Sequence, residues 1–187
     1  MTLLVISCSL NPESNSRTLA REAQRVLLAG GLAVNFLDLR DLPLPMCDGD
    51  VAYDHENVAQ AAALIREADG ILLATPVYNY DASAAAKNLV ELTGQAWENK
   101  VVGFACAAGG AGSYMSIMAL ANSLMLDFRC VIVPRFVYAT GRDFAGDCIT
   151  GPQIAERTAG LAATLARLAG RLAEINRPRR PAIAPWQ

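Results

Sequence analysis

The chain has 187 residues, of which 53% are hydrophobic and 18% charged, a composition that suits one domain with a large core and excludes a disordered chain. Its formal net charge of −2 argues against a nucleic-acid partner, and no apolar run approaches the ~20 residues of a membrane helix. Residues 1–7 lack the basic stretch and cleavage site of a signal peptide, and the five cysteines (Cys8, Cys47, Cys106, Cys130, Cys148) form no C-x-x-C pair, so free thiols and a cytoplasmic location are expected.

In chain order, residues 2–7 form a β-rich apolar run without polar alternation, the pattern of a strand covered on both faces. A helix over 17–29 follows, with Leu19, Ala23, Val26 and Leu27 on one face and Gly30-Gly31 as its stop. Residues 34–39 read as the second strand, and 40–56 as a long loop too rich in proline for regular structure. The second helix, 58–68, carries Ala61, Leu64, Ile65 and Ala68; the third strand runs from Gly70 to Thr75, where Pro76 ends it. Alanine- and leucine-rich helices at 83–93 and 113–127 flank a fourth strand at 101–106. A fifth strand is expected at 130–133, an irregular loop at 138–151 and a last helix at 153–174. This alternation predicts an α/β fold, a doubly wound parallel sheet with helices on both faces. One domain is expected over 1–175, with a Pro/Arg-rich arm over 176–187.

Open parallel sheets bind ligands at the carboxyl ends of their strands, and three loops there have unusual composition. The first holds Ser9, Leu10, Asn11, Ser14, Asn15 and Ser16 just before a helix. Free N–H groups, hydroxyls and the positive end of the helix dipole would suit a phosphate, with Arg17 as a candidate charge. The same residues equally describe a plain Ser/Asn helix cap. The second loop holds Pro76, Val77, Tyr78, Asn79 and Tyr80, flat rings beside an amide that can both donate and accept, or else a turn packed on a neighbour. The third, Ala108, Gly109 and Gly110, is small enough for backbone to approach a planar ligand, or is a flexible glycine turn. Neither G-x-x-x-x-G-K-[ST] nor a G-x-G-x-x-G after the first strand is present. His55 is the only histidine and no G-x-S-x-G elbow exists, which argues against a hydrolase; no His/Cys cluster offers a zinc site.

Taken together, these loops resemble the NADPH-dependent FMN reductase family on the flavodoxin-like fold. Ser9, Ser14 and Ser16 match its phosphate loop, Pro76, Tyr78 and Asn79 its P-x-Y-N loop, Gly109 and Gly110 its Gly-Gly loop, and Leu42 and Pro43 its Leu-Pro stretch. The chain departs from many relatives at Val77, where glutamate is common, and at Asn11, where arginine is common. The resemblance implies a five-stranded sheet of order 2-1-3-4-5 and FMN held by Ser9, Leu10, Asn11, Ser14, Asn15, Ser16, Pro76, Val77, Tyr78, Asn79, Tyr80, Ala108, Gly109 and Gly110, with no metal.

It also implies NAD(P)H-dependent flavin reduction, hydride passing from nicotinamide to flavin and electrons on to a second acceptor, with no side chain needed as acid or base. Amides of Ala108, Gly109 and Gly110, expected at the start of the fourth helix, would stabilise charge on the reduced flavin. An FMN-bound quinone, azo-dye or metal-ion reductase, or a flavodoxin-like electron carrier, is the alternative. NADPH and NADH both remain open as reductant, with Arg17 a candidate contact for a 2′-phosphate, and a monooxygenase is a candidate recipient of reduced flavin. The helices at 83–93 and 113–127 carry apolar residues nearly all round, so a homodimer is expected; the resemblance also allows a dimer of dimers.

Overall fold

The computed structural model describes residues 1–176. The residues of the expected arm from 177 onward lie outside those described.

Strand β1 (Thr2–Ser7) leads through the first loop into α1 (Asn15–Ala29), then β2 (Ala33–Asp38) and α2 (Glu56–Glu67). Strand β3 (Gly70–Tyr78) turns into the two-residue β4 (Asp81–Ala82), followed by α3 (Ala84–Thr93) and β5 (Val101–Ala108). Helix α4 (Met118–Phe128) precedes β6 (Val131–Ile132) and β7 (Val137–Thr140). A small hairpin, β8 (Phe144–Ala145) with β9 (Cys148–Ile149), leads into α5 (Pro152–Asn176). The sheet order is β2-β1-β3-β5, with β6 and β7 both parallel to β5 as a divided fifth strand and β4 antiparallel to β3.

Period-2 geometry sends alternate β1 side chains to opposite faces. Leu4 and Ile6 join Ile65 of α2, Leu89 of α3 and Leu120 and Leu124 of α4 in one core. Leu3 and Val5 join Leu19, Ala23 and Leu27 of α1 and Leu161 and Leu165 of α5 in the other. Every one of these residues is at most 4% exposed, and each leucine removed from water contributes about 1.5–3 kcal/mol. Two glycines let α5 approach closely. A Cβ on Gly70 would stand 2.8 Å from the Ala169 Cβ, and one on Gly103 would stand 3.1 Å from Leu161 Cδ1.

Four expected boundaries are corrected. Pro76 does not end the third strand, which runs on to Tyr78 with Pro76 opposite Ala107. The fifth strand is not one run at 130–133: between the pairs Val102↔Ile132 and Ala105↔Val137, the four residues 133–136 face only Gly103 and Phe104. Pro134 has no N–H for the ladder, so the strand bulges and resumes at Val137. Residues 138–151 therefore contain the end of β7 and a hairpin instead of an irregular loop. Finally, α4 begins at Met118, not 113, after a 3-10 turn over Ala111–Ser113. The amides of Ala108, Gly109 and Gly110 are accordingly not at a helix N-terminus.

Candidate functional site

The carboxyl ends of β1, β3, β5 and β7 meet at one edge, and a cleft of about 200 Å³ opens between their loops. From the first loop it is lined by Ser9, Asn11, Ser14, Asn15 and Ser16; from the second by Pro76, Val77 and Tyr78; from the third by Ala108 and Gly109. The four other sequence-derived candidates are nearby but do not line it. Leu10, 61% exposed, borders a separate apolar cavity with Leu39, Pro43 and Met46. Asn79 and Tyr80 form the turn between β3 and β4, and Gly110 directs its carbonyl to Tyr138. Glu13, Ala107 and Gly141 also line the cleft; the first two lie in the expected loops but not among the residues expected to hold the flavin, and Gly141 was not foreseen. The position of Glu13 within the loop was a usable signal. Gly141 had none, because it follows a strand that the sequence does not announce.

Local hydrogen bonds shape the first loop. Ser14 caps α1, its Oγ accepting from Arg17 N at 3.3 Å and lying 2.9 Å from Ser16 Oγ. Asn11 N donates to Ser9 Oγ, and Glu13 N to Asn11 Oδ1, closing an Asx turn. The amides of Ser14, Asn15 and Ser16 have no acceptor among the described residues, so they remain available at the positive end of α1.

Arg17 does not face the cleft as a free cation. Its Nε lies 2.5 Å from Asp38 Oδ2 and its Nη2 3.2 Å from Asp38 Oδ1. The remaining donors reach Ser9 O, Asn11 O and Pro12 O at 3.0, 2.9 and 3.2 Å. With side chains only 14% and 5% exposed, Arg17 and Asp38 are a buried pair that grips the loop from behind. The expected role of Arg17 toward a 2′-phosphate is thereby corrected: its guanidinium is already committed.

The second loop is a tight turn with Asn79 at φ 50° and Tyr80 at φ 70°. Two consecutive left-handed residues make the turn that matches strand twist. Asparagine tolerates this region, whereas tyrosine does so at a cost of order 1–3 kcal/mol. A contact compensates: the Tyr80 hydroxyl donates to Gly112 O and ties the second loop to the third. Beneath the turn, Thr75 Oγ1 and Ser83 Oγ lie 3.1 Å apart, and Ser83 Oγ donates to Cys8 O at 3.3 Å, pinning β3 to β1. The third loop is held by the Tyr138 hydroxyl, which donates to Gly110 O and lies 2.9 Å from Ser113 Oγ. With the carbonyls of Gly110 and Gly112 engaged, the amides of Gly109 and Gly110 have no acceptor among the described residues. A Cβ at either would meet nothing within 4 Å.

Cys8 lies directly under this site and is fully buried. Burial, with a smaller contribution from the Asp38 charge, raises its thiol pKa far above the ordinary range. Cys106, on β5, is pushed up to about 12 by burial alone. Both stay protonated at neutral pH and act as small apolar side chains, not nucleophiles. All five cysteines are free.

The NADPH-dependent FMN reductase family profile matches residues 1–145. The chain belongs to that family. Among curated members and relatives, this FMN reductase family chain is 30% identical over 132 residues to an NAD(P)H-dependent FAD/FMN reductase of Geobacillus thermodenitrificans, covering 69% of this chain and 71% of that protein. It is 29% identical over 140 residues to a quinone reductase of Pseudomonas putida, covering 71% and 75%. Among solved structures it is similar to FerB, a flavoenzyme NAD(P)H:(acceptor) oxidoreductase of Paracoccus denitrificans, with a TM-score of 0.75 at 21% identity over 91% of this chain and 97% of that one. An archaeal flavodoxin aligns with a TM-score of 0.65 at 12% identity, covering 91% and 99%. At such identities these two show the flavodoxin-like fold alone.

Proposed function

We propose that the cleft between the three loops holds FMN, its phosphate against Ser9 and the amides of Ser14, Asn15 and Ser16, and its ring system between Pro76–Tyr78 and Ala108–Gly110. Family membership makes the chain an NAD(P)H-dependent oxidoreductase of flavin. The observation that carries the site is a pair of donor sets without acceptors among the described residues, Ser14–Ser16 on one side of the cleft and Gly109 on the other, with Gly110 next to it just outside the lining. A phosphate suits the first set, because a helix N-terminus presents N–H groups and dipole together. The second set suits the charge of a reduced ring, and with no helix behind it the N–H groups act singly.

Bound FMN would supply the redox chemistry, taking a hydride from NAD(P)H and passing electrons to an acceptor. The chain's own residues orient and shield. Arg17 and Asp38 fix the first loop, Tyr80 and Tyr138 fix the third, and Tyr78 flanks the cleft mouth. No cleft residue is needed as acid or base. The Pseudomonas putida quinone reductase favours a quinone as acceptor, and release of reduced flavin to a monooxygenase is the other outlet. A dimer is proposed for the assembly, and no helix among the described residues is long and apolar enough to cross a membrane.

Ser14→Asp tests the phosphate seat without removing the helix cap, since aspartate caps as well as serine. Wild-type protein should bind FMN at least about tenfold more tightly than riboflavin, the scale of one charge-assisted hydrogen bond. The variant should lose that preference while keeping its melting temperature. Equal affinity of the wild type for FMN and riboflavin would contradict the proposed phosphate seat.

A further inference from the structure

A second cavity, of about 480 Å³, opens where the bulge separates β6 from β7. It is walled by Pro134, Arg135 and Phe136 of the bulge, by Arg157 and Thr164 of α5, and by Tyr114. Tyr114 stacks on Phe136 with ring centroids 4.8 Å apart, giving the cavity a flat aromatic wall. Arg135 and Arg157 make no ion pair or side-chain hydrogen bond among the described residues. No aspartate or glutamate lines the cavity, so its charge is wholly positive. Arg135 also sits at φ 61°, a left-handed conformation that a non-glycine residue keeps only where the surroundings impose it.

A short chain of contacts links this cavity to the third loop, which borders the flavin cleft. Tyr138 donates to Gly110 O in the third loop. Its ring meets Tyr114 edge-on at 5.5 Å, and Tyr114 is the wall of the second cavity. Two guanidinium groups unpaired among the described residues, beside an aromatic face, suit a compact dianion with a flat ring close by.

We propose that this cavity seats the 2′-phosphoadenosine end of NADPH, with Arg135 and Arg157 as the residues that distinguish NADPH from NADH. The assignment rests on the flavin site proposed above, which places the nicotinamide end at the neighbouring cleft. NADH carries a hydroxyl in place of the 2′-phosphate and cannot engage two guanidinium groups in the same way.

Calorimetric titration of the intact protein with 2′,5′-ADP and with 5′-AMP tests this without any turnover. 2′,5′-ADP should bind at least about tenfold more tightly, and the difference should shrink as salt rises. Arg135→Gln and Arg157→Gln should each remove most of that difference. Arg167→Gln, exposed on the same helix but outside the cavity, should leave it intact. In steady state the two cavity variants should raise KM for NADPH about tenfold, with kcat and the KM for NADH unchanged, as expected for loss of uniform binding. Equal affinity for the two nucleotides, or a 2′-phosphate preference that survives both variants, overturns the proposal. Loss of FMN binding in the wild type would overturn the flavin site instead, and the nucleotide titration reads independently of it.

Discussion

Arg17 sets the shape of the first loop. It makes five hydrogen bonds, two to Asp38 and three to loop carbonyls, and so turns those carbonyls inward, away from the cleft. Arg17→Ala would leave the Asp38 carboxylate buried without its partner, a loss of about 3–5 kcal/mol, read as a lower denaturation midpoint. Arg17→Lys keeps a charge but not the planar fork. It should fold and bind FMN at least about tenfold more weakly by fluorescence quenching, the scale of one charge-assisted hydrogen bond. Unchanged FMN affinity in Arg17→Lys would remove the positioning role. At the same scale, burial raises Cys106 to about 12 and Cys130 to about 11 from an ordinary 9.0. The unfolded chain releases these protons first, so the stabilisation is complete below pH 9 and is lost as pH rises through 11 to 12. Chemical denaturation across that range should show stability falling more steeply in wild type than in a Cys106→Ala variant; parallel curves would exclude a contribution from Cys106.

At the level of elements, close packing of α5 on the sheet depends on two missing side chains. Gly70→Ala would bring its Cβ to 2.8 Å from Ala169 and should cost about 1–3 kcal/mol by overpacking. Wild-type stability in that variant would show that α5 shifts freely. The segment 40–56 reads as irregular in sequence and is so in structure apart from one 3-10 turn and Glu56, which opens α2, but it is not loose. Asn88 accepts from Cys47 N and donates to Pro45 O, while Asn57 donates to Pro43 O. The strands that are continuous apolar runs were legible because burial on both faces removes polar alternation, and the serine-rich loop was legible because its residue types are those of a capped helix start. The divided fifth strand was not, since β7 has only four residues and its pairing with β5 is a tertiary event. The start of α4 was placed too early, at 113, although residues 113–117 (Ser-Tyr-Met-Ser-Ile) are only middling helix formers. Tyr80 and Tyr138, distant in sequence, hold Gly112, Gly110 and Ser113 in a different path. The role of Arg17 was equally hidden, because its partner Asp38 lies 21 residues away on a neighbouring strand.

For the molecule as a whole, the exposed side of α4 and the turn before it carry Met115, Met118, Met125 and Leu126, the last 78% exposed. Side chains at this spacing form a stripe along one side of the helix, and a second copy of the chain is the proposed cover. Light scattering at micromolar concentration should report a dimer that Leu126→Glu dissociates; a monomeric wild type would rule the dimer out. The proposed flavin site of the three loops is one that NAD(P)H must reduce. Its most direct test is anaerobic titration of the FMN-loaded protein with NADPH, followed through the visible absorbance of the flavin. Stoichiometric bleaching, reversed on adding a quinone, is the predicted result. Flavin that stays bound and oxidised in excess NADPH and in excess NADH would contradict the account.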